Sequence, residues 1–270
     1  MGWLTDIPAL AALPLFAIVP AAAAIAAHAL FRRHVPPERL DDHDVAGYLV
    51  AVVGVLYSVV LGFLVGTVWT GFSGAQQTAD TEAGAVADAF NYSARLPDRE
   101  RRILQRLVAR YAVEVRDEEW SYARQGVEDP VANRILSEAI TYTTAIAPVA
   151  TRKNSGKLLM EASIQSQLLS SLREIGDARR LRIVQAASRL PNGMLEALVL
   201  GGLMVISFVF FFGMRSFLRQ MAITGLVAGS IGLFFGLVLE LSTPYSGAIH
   251  ISTDAWSFII ENNHMREFTR

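Results

Sequence analysis

The chain has 270 residues, 52% of them hydrophobic and 18% charged, with a positive mean hydropathy, which is too apolar for an ordinary soluble domain of this length. The formal net charge is −1 and the charges lie almost entirely outside the apolar blocks, so nothing points to nucleic acid as a partner. Cysteine is absent, which excludes disulfides, thiolate metal sites and cysteine nucleophiles together.

Crossing a hydrocarbon core takes roughly 20 apolar residues in helical form. Stretches at about 8–30, 46–71, 193–213 and 221–242 meet that length and predict an all-α integral membrane protein of four spans in two hairpins. The first is rich in alanine and carries Pro8, Pro14 and Pro20. A cleaved signal peptide is its rival reading, with AAHA as a small-x-small site. The start MGWLTDI, however, offers Asp6 and no basic residue, so a retained helix is expected.

The second span contains GVLYSVVLGFLVGTVWT, in which Gly54, Ser58, Gly62, Gly66 and Thr70 recur at every fourth position. Four residues turn a helix by about 400°, so the row forms a slowly drifting ridge. Two readings stay open. Small residues let another backbone approach closely, and Gly225, Gly229, Gly232 and Gly236 give the fourth span a comparable strip, a natural partner for Gly54 and Gly66. Alternatively the span faces a symmetry axis, where Tyr57, Ser58, Gly62, Thr67 and Thr70 would line a narrow, mostly apolar channel.

Residues 72–192 have ordinary polar composition and only helical signals. The second helix is expected to run past the membrane to about Arg95, where Pro97 breaks it. An amphipathic helix follows at about 98–123, then one opened by Asp129–Pro130 and closed by Pro148, then a longer one at about 155–190. The layout is thus a first transmembrane hairpin (1–71), a helical domain (72–192), a second hairpin (193–242) and a C-terminal tail (243–270). In that tail DAWSFIIEN predicts a short amphipathic helix with Trp256 at the membrane interface.

Arginine near span ends is retained in the cytoplasm. Arg32, Arg33 and Arg39 sit in the first short loop and Arg215 and Arg219 in the last, which places the helical domain on the extracytoplasmic side. Arg179, Arg180, Arg182 and Arg189, upstream of the third span, argue the other way.

No constellation for chemistry emerges. TRKNSGKL lacks the first glycine and the final Ser or Thr of a phosphate-binding loop; the five histidines include no metal-binding pair; GFSGA is not a nucleophile elbow. No enzyme activity, cofactor or metal is predicted. Arg95, Arg99, Arg102, Arg106 and Arg110 follow one helical face, either as a vestibule that concentrates anions or as a solvated face paired with Asp98, Glu114 and Glu118. Asp80, Glu82, Glu196 and Glu240 are expected at one membrane face, where a ring of them in an oligomer would favour cations.

HDVAGYLVAVVGVLYSVVLGFLVGTVW, TEAGAVADAF, RYAVEVRDEEW and GLFFGLVLELSTPYSG resemble the pattern of the bacterial bestrophin-like proteins, from about His43 to Gly247. The resemblance implies a multi-pass protein of the bacterial inner membrane, homo-oligomeric and surrounded by lipid. Through the bestrophins it further implies a pentameric ion channel with the second helix, and there Tyr57, Ser58, Gly62 and Thr67, lining the pore. The expected function is therefore an ion channel of undecided sign. The alternative is a non-conducting scaffold or sensor whose helical domain binds a partner.

Overall fold

The computed structural model describes residues 9–35, 43–123, 127–146, 155–188, 190–211 and 216–269. Arg39, Pro148, Arg189, Arg215 and the TRKN of TRKNSGKL lie outside the described residues. Within them every regular element is helical: α1 (Ala9–His34), α2 (His43–Ser93), α3 (Asp98–Glu114), a π-helical turn (Val115–Glu119), α4 (Trp120–Ala123), α5 (Pro130–Ala145), α6 (Ser155–Ala187), α7 (Asn192–Phe210), α8 (Phe217–Leu241), α9 (Asp254–Asn262) and a 3-10 turn (Met265–Phe268). Four helices are long and apolar enough to cross a membrane: α1, α2, α7 and α8. The chain divides into two compact units. Unit 1 comprises Met1–Phe72 and Arg189–His250; unit 2 comprises Ser73–Ser188 and Ile251–Arg270.

In unit 1, α1 lies along α8. The glycine strip of α8 makes this possible, so its partner is α1 and not the second span. A Cβ added at Gly232 would stand 2.3 Å from the Phe16 carbonyl oxygen and 2.6 Å from Pro20 Cγ, and one at Gly236 would stand 2.3 Å from the Phe16 ring. The two prolines inside α1 bear on the same contact. Pro20 has no N–H to give the Phe16 carbonyl four residues back, and Gly232 of α8 comes up against that oxygen instead. Near the other end His28, fully buried, closes a polar loop with α8. Its Nδ1 is 2.6 Å from Thr224 Oγ1, its Nε2 is 2.9 Å from Gln220 Nε2, and the Thr224 hydroxyl donates to the Gln220 carbonyl at 3.0 Å. With the Gln220 amide donating to Nε2, the ring hydrogen sits on Nδ1 and goes to Thr224. The imidazole stacks on Phe210 at 4.4 Å.

The rest of unit 1 is built on an apolar seam in which Leu61, Leu64 and Val68 of α2 meet Leu198 of α7 and Val238 and Leu241 of α8. Spacings of three and four put those α2 residues on one face.

Unit 2 holds the helical domain and also the C-terminal segment. Asp129 caps α5, accepting from the N–H groups of Val131 and Ala132 at 2.9 and 3.1 Å, as the Asp-Pro signal predicts. α9 spans the predicted DAWSFIIEN, but Trp256 is not a membrane-interface residue: it is wholly buried, edge-on to Tyr111 at 6.4 Å. An amphipathic helix with one indole on its apolar face covers a protein core by the same pattern that would lie on lipid. Phe268 likewise packs edge-on against Phe90 at 5.2 Å.

Candidate functional site

Within unit 1, α2 has two unlike faces. Tyr57, Leu61, Leu64 and Val68 turn inward, whereas Ser58, Gly62, Gly66, Thr67 and Thr70 are exposed. A Cβ added at Gly54, Gly62 or Gly66 would meet nothing within 4 Å. Gly54 and Gly66, assigned above to helix packing, are therefore in close contact with no other helix among the described residues. The hydroxyls of Ser58, Thr67 and Thr70 each donate to a carbonyl of their own helix, those of Val55, Phe63 and Gly66, at 2.8–2.9 Å. Their donors are thus spent, and the outward surface presents acceptor lone pairs among small apolar groups. Gly54 and Ser58 also border an apolar groove of about 360 Å³ with Ser230 and Phe234 of α8.

Tyr57 does not belong with the exposed set. Its ring packs on Gly201 and Gly202 of α7, where a Cβ would come within 2.8 and 3.0 Å of its neighbours, and its hydroxyl donates to the Leu198 carbonyl at 3.2 Å. An aromatic ring with a hydroxyl tip reaches a backbone acceptor across a glycine pair more readily than it faces a lumen.

In unit 2 the residues of α2 again sort by face. Ala75, Thr78, Ala79, Glu82, Ala83, Val86 and Ala89 are buried, while Ser73, Gln77, Asp80, Thr81, Gly84, Asp88 and Asn91 are exposed. Gln77, Thr78 and Thr81 border a groove of about 630 Å³ whose other wall carries Arg173, Glu174 and Asp177 of α6.

Of the four predicted mouth acids, two are otherwise engaged. Glu82 is fully buried: Arg182 Nε donates to its Oε2 at 2.6 Å and Nη2 to its Oε1 at 3.1 Å, and the Tyr111 hydroxyl donates to Oε1 at 2.7 Å. Glu240, 7% exposed, accepts from the N–H groups of Ala248 and Ile249 at 2.6 and 3.2 Å. That folds the Pro-Tyr-Ser-Gly turn back over α8, with Gly247 at φ +100°, where a Cβ would also meet the carboxylate at 2.7 Å. Both carboxylates bind donors of their own chain, as buried carboxylates must. Asp80, which accepts from Gln76 Nε2 at 3.1 Å, and Glu196 remain exposed.

The five arginines Arg95, Arg99, Arg102, Arg106 and Arg110 are all exposed. Arg95 lies over the Tyr92 ring at 5.8 Å. Asp98, expected to neutralise this face, pairs instead with Arg101 at 2.6 Å, because the two are three residues apart on α3. Burial, with Asp129 and Glu118 nearby, raises the Glu114 pKa, while Arg110 opposes the shift.

The pair Glu82–Arg182 belongs to a larger buried network that sequence reasoning missed. Arg179 donates to Glu119 through Nε at 2.9 Å, to Glu128 through Nη1 at 2.8 Å and to the Asp129 carbonyl through Nη2 at 2.9 Å. Arg182 Nη2 also reaches Glu119 at 3.3 Å, and its guanidinium lies over the Trp120 ring at 5.3 Å. Burial works against the charge of Arg182, but Glu82 and Glu119 more than offset it and hold its pKa above the ordinary guanidinium value. Burial, then the nearby Glu82 and Glu119, pushes the Tyr111 hydroxyl well above its usual range. The π turn places Glu119 here, since the extra residue in that turn changes the face on which the following side chains emerge. A signal was present: Leu168, Leu172 and Ile175 define the buried stripe of α6, and Arg179 and Arg182 continue it.

Residues 18–256 match the family model of the Bestrophin-like domain. Among curated proteins no sequence matches. The fold is similar to crystal structures of variants of a bacterial Bestrophin homolog from Klebsiella pneumoniae. One has a TM-score of 0.63 at 15% identity, covering 95% of this chain and 97% of that one. Another has a TM-score of 0.61 at 18% identity, with 95% of each chain covered. At such identities the likeness is one of fold, and it agrees with the match over most of the sequence: this chain belongs to the Bestrophin-like domain family.

Proposed function

We propose that the protein is a homo-oligomeric ion channel of the bacterial inner membrane, with a conduction path along the outward side of α2 and its extension past Thr70. One observation carries this reading. The row Ser58, Gly62, Gly66 and Thr70 is exposed, and a Cβ at Gly62 or Gly66 would meet nothing within 4 Å among the described residues, although a membrane helix uses such a row for close approach. What it faces lies outside the protomer: other copies of α2 and the lumen between them. Bestrophins are channels, and the family resemblance makes five the expected number of copies. Small side chains with spent hydroxyl donors leave a narrow, weakly polar lumen, a geometry that conducts when wet and gates by dewetting.

Two charged sets bear on the sign of the ion. Exposed Asp80 and Glu196 favour cations; the exposed arginine face of α3 favours anions. Current through the purified protein in a planar bilayer under a KCl gradient tests both levels of the proposal. A reproducible current is expected, and its reversal potential gives the sign; silence from folded, assembled protein contradicts the channel. The same arginine face supports the second reading, a scaffold whose helical domain binds an acidic partner, and that reading predicts the silence.

We further propose that the helical domain lies outside the cytoplasm. Arg179 and Arg182, which had argued otherwise, are buried in ion pairs and do not act as free loop charges. A reporter active only outside the cytoplasm, fused after Gln125, is expected to give signal; its silence would reverse the topology.

A further inference from the structure

We propose that Arg182 and Glu82 are positioning residues for the conduction path: their buried fork sets the rotation of α2 within unit 2, and so decides which of its side chains face outward. Only the link to conduction rests on the channel reading above.

Much of the inward side of α2 in this unit is alanine, with Val86 and Phe90 as its bulky members. Ala75, Ala79, Ala83 and Ala89 are 0–2% exposed, and a row of methyl groups gives each rotational setting similar contacts. Glu82 is the one charged group among the buried, described residues of this side, and it is held at both oxygens. Arg182 grips it with two nitrogens and Tyr111 adds a third donor, a geometry that fixes direction as well as distance. The gripping group is itself anchored, by the Trp120 ring and by Glu119, which Arg179 ties to Glu128 and to the Asp129 carbonyl.

Helix geometry turns that grip into a choice of face. Thr78 and Glu82 are four residues apart and share the inward side; Gln77 and Thr81 are also four apart and lie about 100° round the helix, on the outward side. Thr78 and Gln77 both border the groove toward α6, but Thr78 lies at its floor, 7% exposed, whereas Gln77 is open. A rotation by one residue position would exchange them, replacing one set of outward groups by another without unwinding the helix.

The cysteine-free chain allows a direct test. Single thiols are introduced as Gln77→Cys, Thr78→Cys and, as a fold control, Ala139→Cys at a buried position of α5. The rate of reaction with a small thiol reagent is then measured on the purified full-length protein. With Arg182 and Glu82 in place, Gln77→Cys is expected to react at least about tenfold faster than Thr78→Cys, the protection of a buried site. In the background Glu82→Leu with Arg182→Met, which removes both charges at once, that ratio is expected to collapse while Ala139→Cys stays protected. A ratio that persists overturns the proposal. Should the double variant unfold and expose Ala139→Cys, Arg182→Lys carries the test: it keeps the charge without the two-pronged grip, and an undiminished ratio there overturns the proposal equally. Bilayer currents of the same variants separate the two layers. Altered unit conductance is expected; a collapsed ratio with unchanged conductance overturns the link to conduction and moves the path away from this face of α2.

Discussion

Gly225, Gly229, Gly232 and Gly236 recur along α8 much as Gly54, Gly62 and Gly66 recur along α2, yet a methyl at Gly232 would lie 2.3 Å from a backbone oxygen while one at Gly62 would meet nothing within 4 Å. The α8 row is closed from within the chain by α1, whose proline-rich sequence brings bulk and a freed carbonyl to the same place. The glycines of the α2 row have no such partner among the described residues. A small-residue stripe in a membrane helix therefore encodes close approach without naming what approaches. That is decided by the rest of the surface, and α2 has already used its opposite face, Leu61, Leu64 and Val68, for the core of unit 1.

The sharpest way to break this contrast is to add one methyl to each row. Gly232→Ala forces Phe16 and Pro20 away and is expected to cost about 3 kcal/mol, at the upper end of overpacking effects, read as a fall in thermal unfolding temperature in detergent; unchanged stability would mean that α8 does not hold α1 this closely. Next comes Gly201→Ala, which drives a Cβ into the Tyr57 ring at 2.8 Å. The ring can shift, so about 1–2 kcal/mol is expected. Tyr57→Phe keeps the ring on its glycine seat and loses only the bond to Leu198, worth about 0.5–1 kcal/mol; if this variant instead alters conductance with stability intact, Tyr57 faces the lumen after all. The smallest effect on stability belongs to Gly62→Ala. Nothing is displaced and helix propensity improves by up to about 1 kcal/mol, so unfolding is expected to be unchanged or later. Unit conductance of this variant should nevertheless fall.

Much of the fold was legible in residues alone. Apolar length marked the four spans, Pro97 marked the end of the long second helix, and Asp129–Pro130 marked the start of α5, because each signal is local and covalent or steric in origin. The pairing of the glycine strips was not legible, since two helices with the same small-residue period are equivalent until their neighbours are known. The fate of the charges was hidden for a related reason. Glu82, Glu240, Arg179 and Arg182 look in sequence like candidate mouth or loop charges. Their burial depends on partners up to 100 residues away, as for Glu82 and Arg182, and on a π turn that shifts Glu119 off the regular helical phase. Trp256 carried an ambiguity of kind, because amphipathicity does not distinguish lipid from protein as the apolar phase.

We propose that the open row of α2 faces the conduction path. It is tested most directly by recording Gly66→Cys in a planar bilayer under a KCl gradient, before and after a charged thiol reagent, with the cysteine-free parent as control. Current from both proteins, with block by the reagent in the variant alone, is expected. Silence from folded, assembled protein, or a current in Gly66→Cys that the reagent leaves untouched, would contradict it.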